Sequence, residues 1–267
     1  MKKLSFLFAV AIVLLAVSCK KDSTNTNTTP AVPPLPTTSI PAEATGGGLV
    51  SLRTFFAFDP NKFLPTPSPV PLPTIDIKLE TATAVFYGAS TSDLLDAGTV
   101  GVNSHNLTKA SNNAYYTDGF SATSPGDVDL GFSSGSNWSV AGSSSVTAFT
   151  YNYTATFPSY GNSASLPETI TKSAGLTVNV ASSNADSIAV AIISGSSSSS
   201  GTVIKRVGGA ATSVTFSASD LSPLTTTGSN GIAYLEVLPY RYTIQNINSK
   251  NYAFIKLAAY VKNVKIQ

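Results

Sequence analysis

Residues 149–157 read FTYNYTATF, and this stretch has the alternation of a β-strand. Its large or apolar members occupy every second position: Phe149, Tyr151, Tyr153, Ala155 and Phe157. Successive side chains of a strand point to opposite faces, so these five share one side. The positions between them hold Thr and Asn, which suit a face in water. The stretch predicts a half-buried strand with its aromatic side turned toward a core.

Similar segments recur along the chain from about residue 48. They are rich in Val, Ile, Thr, Tyr and Phe, and clusters of Gly, Ser, Asn and Pro separate them. Many short segments of this composition are typical of an all-β protein. Only 11% of the residues are charged, which suits sheets coated with Ser and Thr better than surface helices. The predicted fold class is all-β.

Two of these segments allow finer predictions. In SIAVAIISG, residues 187–195, apolar side chains occupy both faces, which predicts a central strand covered on each side. In the last segment the apolar alternation of residues 255–261 falls out of phase at Val264 and Ile266. An extra residue in one strand would restore the inward direction, so we predict a β-bulge near residues 262–263.

The chain beyond the first 47 residues is long enough for two domains. The best boundary is the Ser-, Asn- and Pro-rich stretch at residues 158–169. We therefore expect two antiparallel β-sandwich domains, at residues 48–160 and 161–267. The second has about seven strands in about 100 residues, the size of an immunoglobulin-like sandwich.

A short stretch of the second half carries a more specific resemblance. Leu221 and Pro223 precede Tyr234 in SASDLSPL…IAYLEV, which resembles the E–F corner of fibronectin type III domains. The resemblance implies an immunoglobulin-like fold in which the hydroxyl of Tyr234 closes the corner with a hydrogen bond.

The first residues have the three parts of an export signal. Lys2 and Lys3 precede an apolar run at residues 4–17, and small residues then lead to Cys19, the one cysteine of the chain. This order is typical of a secretory signal, and the apolar run is shorter than the roughly 20 residues that span a bilayer.

The end of this signal resembles a bacterial lipobox. The residues are Ala16-Val17-Ser18-Cys19, and the following KKD and polar tether are similar to those of Bacteroidota lipoproteins. The resemblance implies that residues 1–18 are removed and that Cys19 carries the lipid anchor. It also implies attachment to the outer membrane, and it leaves the periplasmic and cell-surface faces both open.

Residues 19–47 are dominated by Pro, Thr and Asn and lack apolar periodicity, which predicts a disordered tether. Asp22-Ser23-Thr24 resembles the short O-glycosylation motif of Bacteroidota, which implies a sugar on Ser23.

Charge limits the partners. The chain has 16 basic and 14 acidic residues, and loss of Lys2 and Lys3 with the signal would make it formally neutral. Without a basic cluster, nucleic acid is not an expected partner. No glycine-rich phosphate loop opens a helix, so no cofactor is expected. The expected partners are the membrane, through the lipid, and a glycan or an envelope protein.

Acidic residues provide one candidate site. Asp118, Asp127 and Asp129 lie close together in DGFSATSPGDVDLG. Such carboxylates suit an oxygen-ligand cation site or the acid pair of a glycosidase, and an ordinary polar loop also explains them.

Aromatic residues near these acids provide a second candidate. Tyr115, Tyr116 and Trp138 flank the acidic loop, and exposed rings beside polar groups can stack on sugars. They are equally consistent with core positions. These three residues, together with Asp127 and Asp129, are the candidates for binding a glycan or another ligand.

Other signs of catalysis are weak. His105 is the one histidine and lies in the turn-like NSHN. GFSSG at residues 131–135 matches G-x-S-x-G, but the helix that a nucleophile elbow requires is not predicted after it. The sequence thus favours a non-catalytic, lipid-anchored envelope or surface protein that serves adhesion, envelope structure or binding. The alternative is an envelope glycan hydrolase that uses loop carboxylates.

Overall fold

The computed structural model describes residues 40–58, 75–117, 129–195, 200–227 and 232–267. Regular structure in these ranges is nearly all β, which confirms the predicted fold class. The strands are β1 (Gly47–Phe58), β2 (Ile75–Phe86), β3 (Val100–Val102), β4 (His105–Asn106), β5 (Thr108–Lys109), β6 (Tyr115–Tyr116), β7 (Ser136–Val140), β8 (Phe149–Tyr153), β9 (Ser159–Tyr160), β10 (Thr169–Ile170), β11 (Leu176–Asn179), β12 (Ser182–Ser183), β13 (Ser187–Gly195), β14 (Ser200–Gly208), β15 (Ser213–Phe216), β16 (Ile232–Ile247) and β17 (Lys250–Ile266).

Helical structure in the described ranges is short. One α-helical turn, α1 (Ala218–Leu221), is capped by Ser217, whose side chain accepts from the Asp220 N–H while the Asp220 carboxylate accepts from the Ser217 N–H. This reciprocal pair is a capping box. Three 3₁₀ turns lie at Phe132–Ser134, Ser163–Ser165 and Lys172–Ala174.

One large sheet organises the molecule. Its strand order is β14-β13-β16-β17-β1-β2-β6-β5, and β10 also pairs with β17. The smaller sheets are β4-β3-β7-β8, β11-β15 and β9-β12. Two pairings are parallel, those of β17 with β1 and with β10. The long β16–β17 hairpin closes through Asn248 and Ser249, whose φ angles of 49° and 62° fit a two-residue type I′ turn.

The two faces of the main sheet have different roles. The inner face, which carries the even-numbered residues of β17, supports two separate cores. The first core contains Leu49, Trp138 and Phe254, and it packs under the sheet β4-β3-β7-β8. The second core contains Val190 and Phe216, and it packs under β11-β15 and β9-β12. The outer face is apolar in the middle of β17 and forms a third cluster.

The predicted central strand is confirmed. β13 lies between β14 and β16, and its five residues from Ile188 to Ile192 are all buried. The predicted strand at residues 149–157 is present as β8, which ends at Tyr153. Ala155 and Phe157 continue the same side and pack against the first core after the strand has ended.

The predicted bulge is wrong. β16 and β17 keep one register from Ile247 opposite Lys250 to Ala233 opposite Val264, and the pairing skips Leu238 and Pro239 without shifting it. Val264 and Ile266 belong to the second core on the inner face, whereas the apolar residues from 255 to 261 lie on the outer face. The phase changes because β17 is buried on both faces, so no extra residue is needed.

The predicted tyrosine corner is also wrong. Leu221 lies in the second core, but Tyr234 lies in the outer-face cluster on the other side of the sheet. The Tyr234 hydroxyl is buried and has no hydrogen-bond partner among the described residues. The side chain therefore contributes apolar contacts, including an edge contact with Phe56 at 6.4 Å between ring centroids.

Strands from both sides of the predicted domain boundary share the main sheet. β1 and β2 come from residues 48–160, whereas β16 and β17 come from residues 161–267. Tyr252 and Phe254 of β17 pack in the first core. Whether residues 48–160 and 161–267 fold as separate units stays a prediction.

Candidate functional site

Charged side chains occupy the inner face between the two cores, and we call this region the junction. It contains Arg53 of β1, Lys78 and Glu80 of β2, Arg241 of β16 and Lys256 of β17. The strand register brings them together, because Arg53 pairs opposite Glu80 and Arg241 pairs opposite Lys256. The junction is therefore a set of charges held on four rigid strands.

Glu80 is the fully buried anion of the junction. Its Oε1 accepts from Arg53 Nε at 2.8 Å and lies 3.3 Å from Lys78 Nζ. Its Oε2 accepts from the backbone N–H groups of Leu130 and Phe132 at 3.0 and 3.1 Å. A buried carboxylate is costly unless paired and hydrogen-bonded, and Glu80 is both. Glu80 therefore links β1 and β2 to the segment that carries Leu130 and Phe132 into the first core.

Lys256 is the buried cation of the junction, with 1% of its surface exposed. Its Nζ lies 5.0 Å from the ring centroid of Phe157 and 5.4 Å from that of Tyr153. Burial first, and then the charges of Arg53 and Arg241, lower the pKa of Lys256 to about 8, while Glu80 raises it. The ammonium thus relies on aromatic faces for much of its stabilisation.

Phe157 links the junction to the first core. The Arg53 guanidinium carbon lies 4.3 Å from its ring centroid, so two cations lie against one ring. Phe157 also stacks on Phe132, with ring centroids 5.7 Å apart. The segment that joins β8 to β9 is therefore held at the junction by both charge and packing.

Asp129 lies exposed beside Glu80 and is the predicted site residue that belongs to the junction. Its Oδ1 accepts from the Gly131 N–H at 2.7 Å. This hydrogen bond, the Glu80 side chain and the charges of Lys78 and Arg53 lower the pKa of Asp129. Asp129 is accordingly an ionised carboxylate near the positive charges of Lys78 and Arg53.

The aromatic part of the sequence prediction is wrong for two residues. Trp138 is fully buried in the first core, and its indole Nε1 has no hydrogen-bond partner among the described residues. Tyr115 is 1% exposed; its hydroxyl donates to Asp96 Oδ1 at 2.9 Å and accepts from the Ala97 N–H at 2.8 Å. Neither ring has a free face for a sugar, because each is enclosed by core side chains.

The other predicted residues are spread out. Tyr116 is half-buried on the outer side, where it packs against the third cluster. Asp118 and Asp127 lie outside the described residues, as do Cys19 and Ser23. The predicted position of Asp127 near Trp138 therefore stays a prediction.

The weak catalytic motifs lie in ordinary surface structure. His105 is exposed in the β3–β4 hairpin, whose turn residues Asn103 and Ser104 have positive φ. In GFSSG a 3₁₀ turn leads directly into β7, so the strand–elbow–helix context is not formed. In the described part of the chain, no group of three or more His, Cys, Asp or Glu is placed to hold a metal ion.

Sequence reasoning missed the junction itself. Charged residues interrupt apolar strands at Arg53, Glu80 and Lys256. The alternation places each of them on the other face of its strand from the apolar residue before it, which is Leu52, Leu79 or Ile255. A charge at such a position normally indicates a solvated face. The signal that could have revealed the junction is that each of the four longest strands carries a basic residue within its apolar pattern, and that β2 also carries Glu80.

Comparison with family models, curated proteins and solved structures finds no match for this chain. Over the described ranges, no helix has the length and apolar character needed to cross a membrane.

Proposed function

We propose that the chain is a lipid-anchored, non-catalytic protein of the bacterial outer membrane, acting in adhesion, in envelope structure, or in binding a protein or glycan. The anchoring part rests on residues 14–22, LLAVSCKKD, in which a signal-like run ends at Cys19. Multiple acyl chains would give stable attachment, which a single chain does not.

The observation that carries the non-catalytic part is the saturation of Glu80. A glycosidase needs one carboxyl to protonate the leaving group and another to act on the sugar or on water. Both oxygens of Glu80 are already engaged by Arg53, Lys78 and two backbone N–H groups. Its neighbour Asp129 is held by the Gly131 N–H. These contacts suit a residue that links strands structurally better than a residue that acts as a general acid.

The architecture supports a role in display or binding. Two cores share one sheet, so the sheet β4-β3-β7-β8 and the sheets β11-β15 and β9-β12 keep fixed positions relative to each other. An immunoglobulin-like arrangement of residues 161–267 is part of the proposal. It rests on β11 and β15 packing over β13 and β16 around the second core.

Replacing Cys19 tests the anchor. We expect Cys19→Ala to move the protein from the membrane fraction to the soluble fraction and to abolish palmitate labelling. The control Ser23→Ala keeps the lipobox and should stay in the membrane, with a lower mass if Ser23 is glycosylated. Retention of Cys19→Ala in the membrane with an unchanged N-terminus would refute the lipid anchor. Protease treatment of intact cells then assigns the face on which the protein lies.

The non-catalytic assignment needs a separate test. The purified protein is incubated with isolated peptidoglycan and outer-membrane polysaccharide, and newly formed reducing ends are measured. We expect none above a heat-denatured sample. Release of sugar that is lost in Asp129→Asn would favour the hydrolase instead.

A further inference from the structure

We propose that the junction binds one carboxylate group of a small ligand, held between Lys256 and Arg241. Such a site deepens the binding role proposed above and rests on it. The two cations lie opposite each other in neighbouring strands, Lys256 in β17 and Arg241 in β16. On the other side of Lys256 in the same row is the buried Ser51 of β1. An anion over this row would meet two positive groups at once.

The described junction carries more positive than negative charge. The cations are Arg53, Lys78, Arg241 and Lys256, and the carboxylates are Glu80, Asp129 and, at the rim, Asp186. Glu80 and Asp129 lie on the side of β1 and β2, where their neighbours include Arg53. Neither Lys256 nor Arg241 forms an ion pair with a described residue. The uncompensated positive charge therefore lies on β16 and β17.

Lys256 is the more deeply buried of these two cations. Its ammonium lies against the rings of Tyr153 and Phe157 and makes no hydrogen bond to a described residue. A buried charge is costly unless it is paired. Burial first, and then the charges of Arg53 and Arg241, lower the pKa of Lys256 to about 8, so the surroundings disfavour the ammonium. A bound carboxylate would remove this cost.

Arg241 has a donor to spare. Its Nε is buried and has no hydrogen-bond partner among the described residues. A buried donor without an acceptor is destabilising, and a carboxylate is an acceptor that fits the planar guanidinium. The Tyr153 hydroxyl lies beside the same guanidinium: burial raises the pKa of Tyr153, and Arg241 opposes that rise. Because the Tyr153 ring also faces Lys256, the three side chains surround one position.

The row of Arg241 is open on one side. β13 ends one residue short of facing Arg241, so in the described chain no strand pairs with β16 there. Arg241 is half-buried, whereas Lys256 behind it is enclosed. Asp186 is exposed at this rim, and its Oδ2 accepts from the Tyr242 N–H at 2.9 Å instead of pairing with Arg241. A small ligand would thus reach Lys256 past Arg241.

Equilibrium dialysis of the purified full chain tests the site, with radiolabelled acetate and glucuronate as the probes. Acetate is the bare carboxylate, and glucuronate presents the same group on a sugar. We expect saturable binding of one ligand per chain for both, and none for neutral glucose. Tighter binding of glucuronate would identify an acidic sugar as the source of the carboxylate, and equal affinities would show that the carboxylate alone is recognised.

Lys256→Met is the decisive variant, because it keeps an unbranched apolar stem and removes the charge. We expect it to weaken binding about tenfold or more, since a charge-assisted hydrogen bond is lost. Lys250→Met makes the same change at an exposed position of β17 and should bind like wild type. Arg241→Gln should also weaken binding, and its circular dichroism spectrum should match that of wild type.

Two results would overturn the carboxylate site. One is wild-type protein that shows no saturable binding of either probe. The other is equal affinity of Lys256→Met and Lys250→Met. Neither result changes where Cys19→Ala fractionates, so failure of this site and failure of the lipid anchor are distinguishable.

Discussion

We expect Glu236 to make this protein less stable as the pH rises through neutrality. It lies on the outer face of β16, between Ala191 of β13 and Val261 of β17, and is 3% exposed. Burial, with no ion pair to Glu236 among the described residues, raises the pKa of this carboxyl from its ordinary 4.5 to about 8. The folded protein therefore holds a proton on this carboxyl at pH 7, whereas the unfolded chain has released it.

The sign and size of the effect follow from linkage. Between pH 4.5 and about 8 the folded state binds one more proton than the unfolded state, so the free energy of unfolding falls with rising pH. The stability that this group contributes is complete below pH 4.5 and is lost by about pH 8. Each pH unit costs about 1.4 kcal/mol, which gives roughly 3 kcal/mol by pH 7 and roughly 5 kcal/mol by pH 8.

Glu236→Gln keeps the shape and removes the titration. We expect the variant and wild type to have similar stability at pH 4.5 and to diverge above it, with the variant about 3 kcal/mol more stable at pH 7. Urea unfolding followed by circular dichroism at half-unit pH steps measures this. Glu43→Gln, at an exposed glutamate, is the control and should follow wild type throughout. A difference between Glu236→Gln and wild type that is constant across the pH range would refute the reasoning.

Three further variants test the junction and the first core by urea unfolding. Glu80→Gln leaves Arg53 and Lys78 without their counter-charge and should cost about 3 kcal/mol. Tyr115→Phe removes the hydroxyl that bonds Asp96 and a buried backbone N–H, and should cost about 1–3 kcal/mol. Lys256→Met should stabilise the protein by about 1–3 kcal/mol at pH 7, because folding lowers the pKa of this lysine. Wild-type stability should accordingly rise between pH 8 and pH 10.5, from the folded to the ordinary pKa, and the advantage of the variant should vanish above that window.

The alternation of apolar and polar residues predicted the strands well, because the side chains on each face of a strand match the core or the water that covers that face. β13 was recognisable from residues 187–195 alone, since both of its faces are covered along most of its length. The stretch 149–153 was recognisable because one face is core and the other is water. These are properties of single strands, which a sequence records residue by residue.

The aromatic candidates show what alternation does not determine. Trp138 alternates with Asn137 and Ser139 in β7, which is the pattern of a core position, but its place beside an acidic loop also suited a binding surface. The choice depends on the sheet β4-β3-β7-β8 lying over β1, β2 and β17. That long-range pairing brings residue 254 beside residue 49, and nothing local in either segment specifies it.

The phase change in β17 has two physical explanations, and its partner strand distinguishes them. A bulge alters the phase of one strand only, because the extra residue belongs to that strand. A strand that is covered on both faces shows both phases without an extra residue. In β16 the second core contains Ala233, Leu235 and Val237 of the inner face, whereas the outer-face cluster contains Tyr234 and Tyr240. In the facing rows of β17, Val264 and Ile266 lie in the second core, and Ala259 and Val261 lie in the outer-face cluster. Both strands are therefore covered on both faces there, and the junction charges lie where the inner face passes from one core to the other.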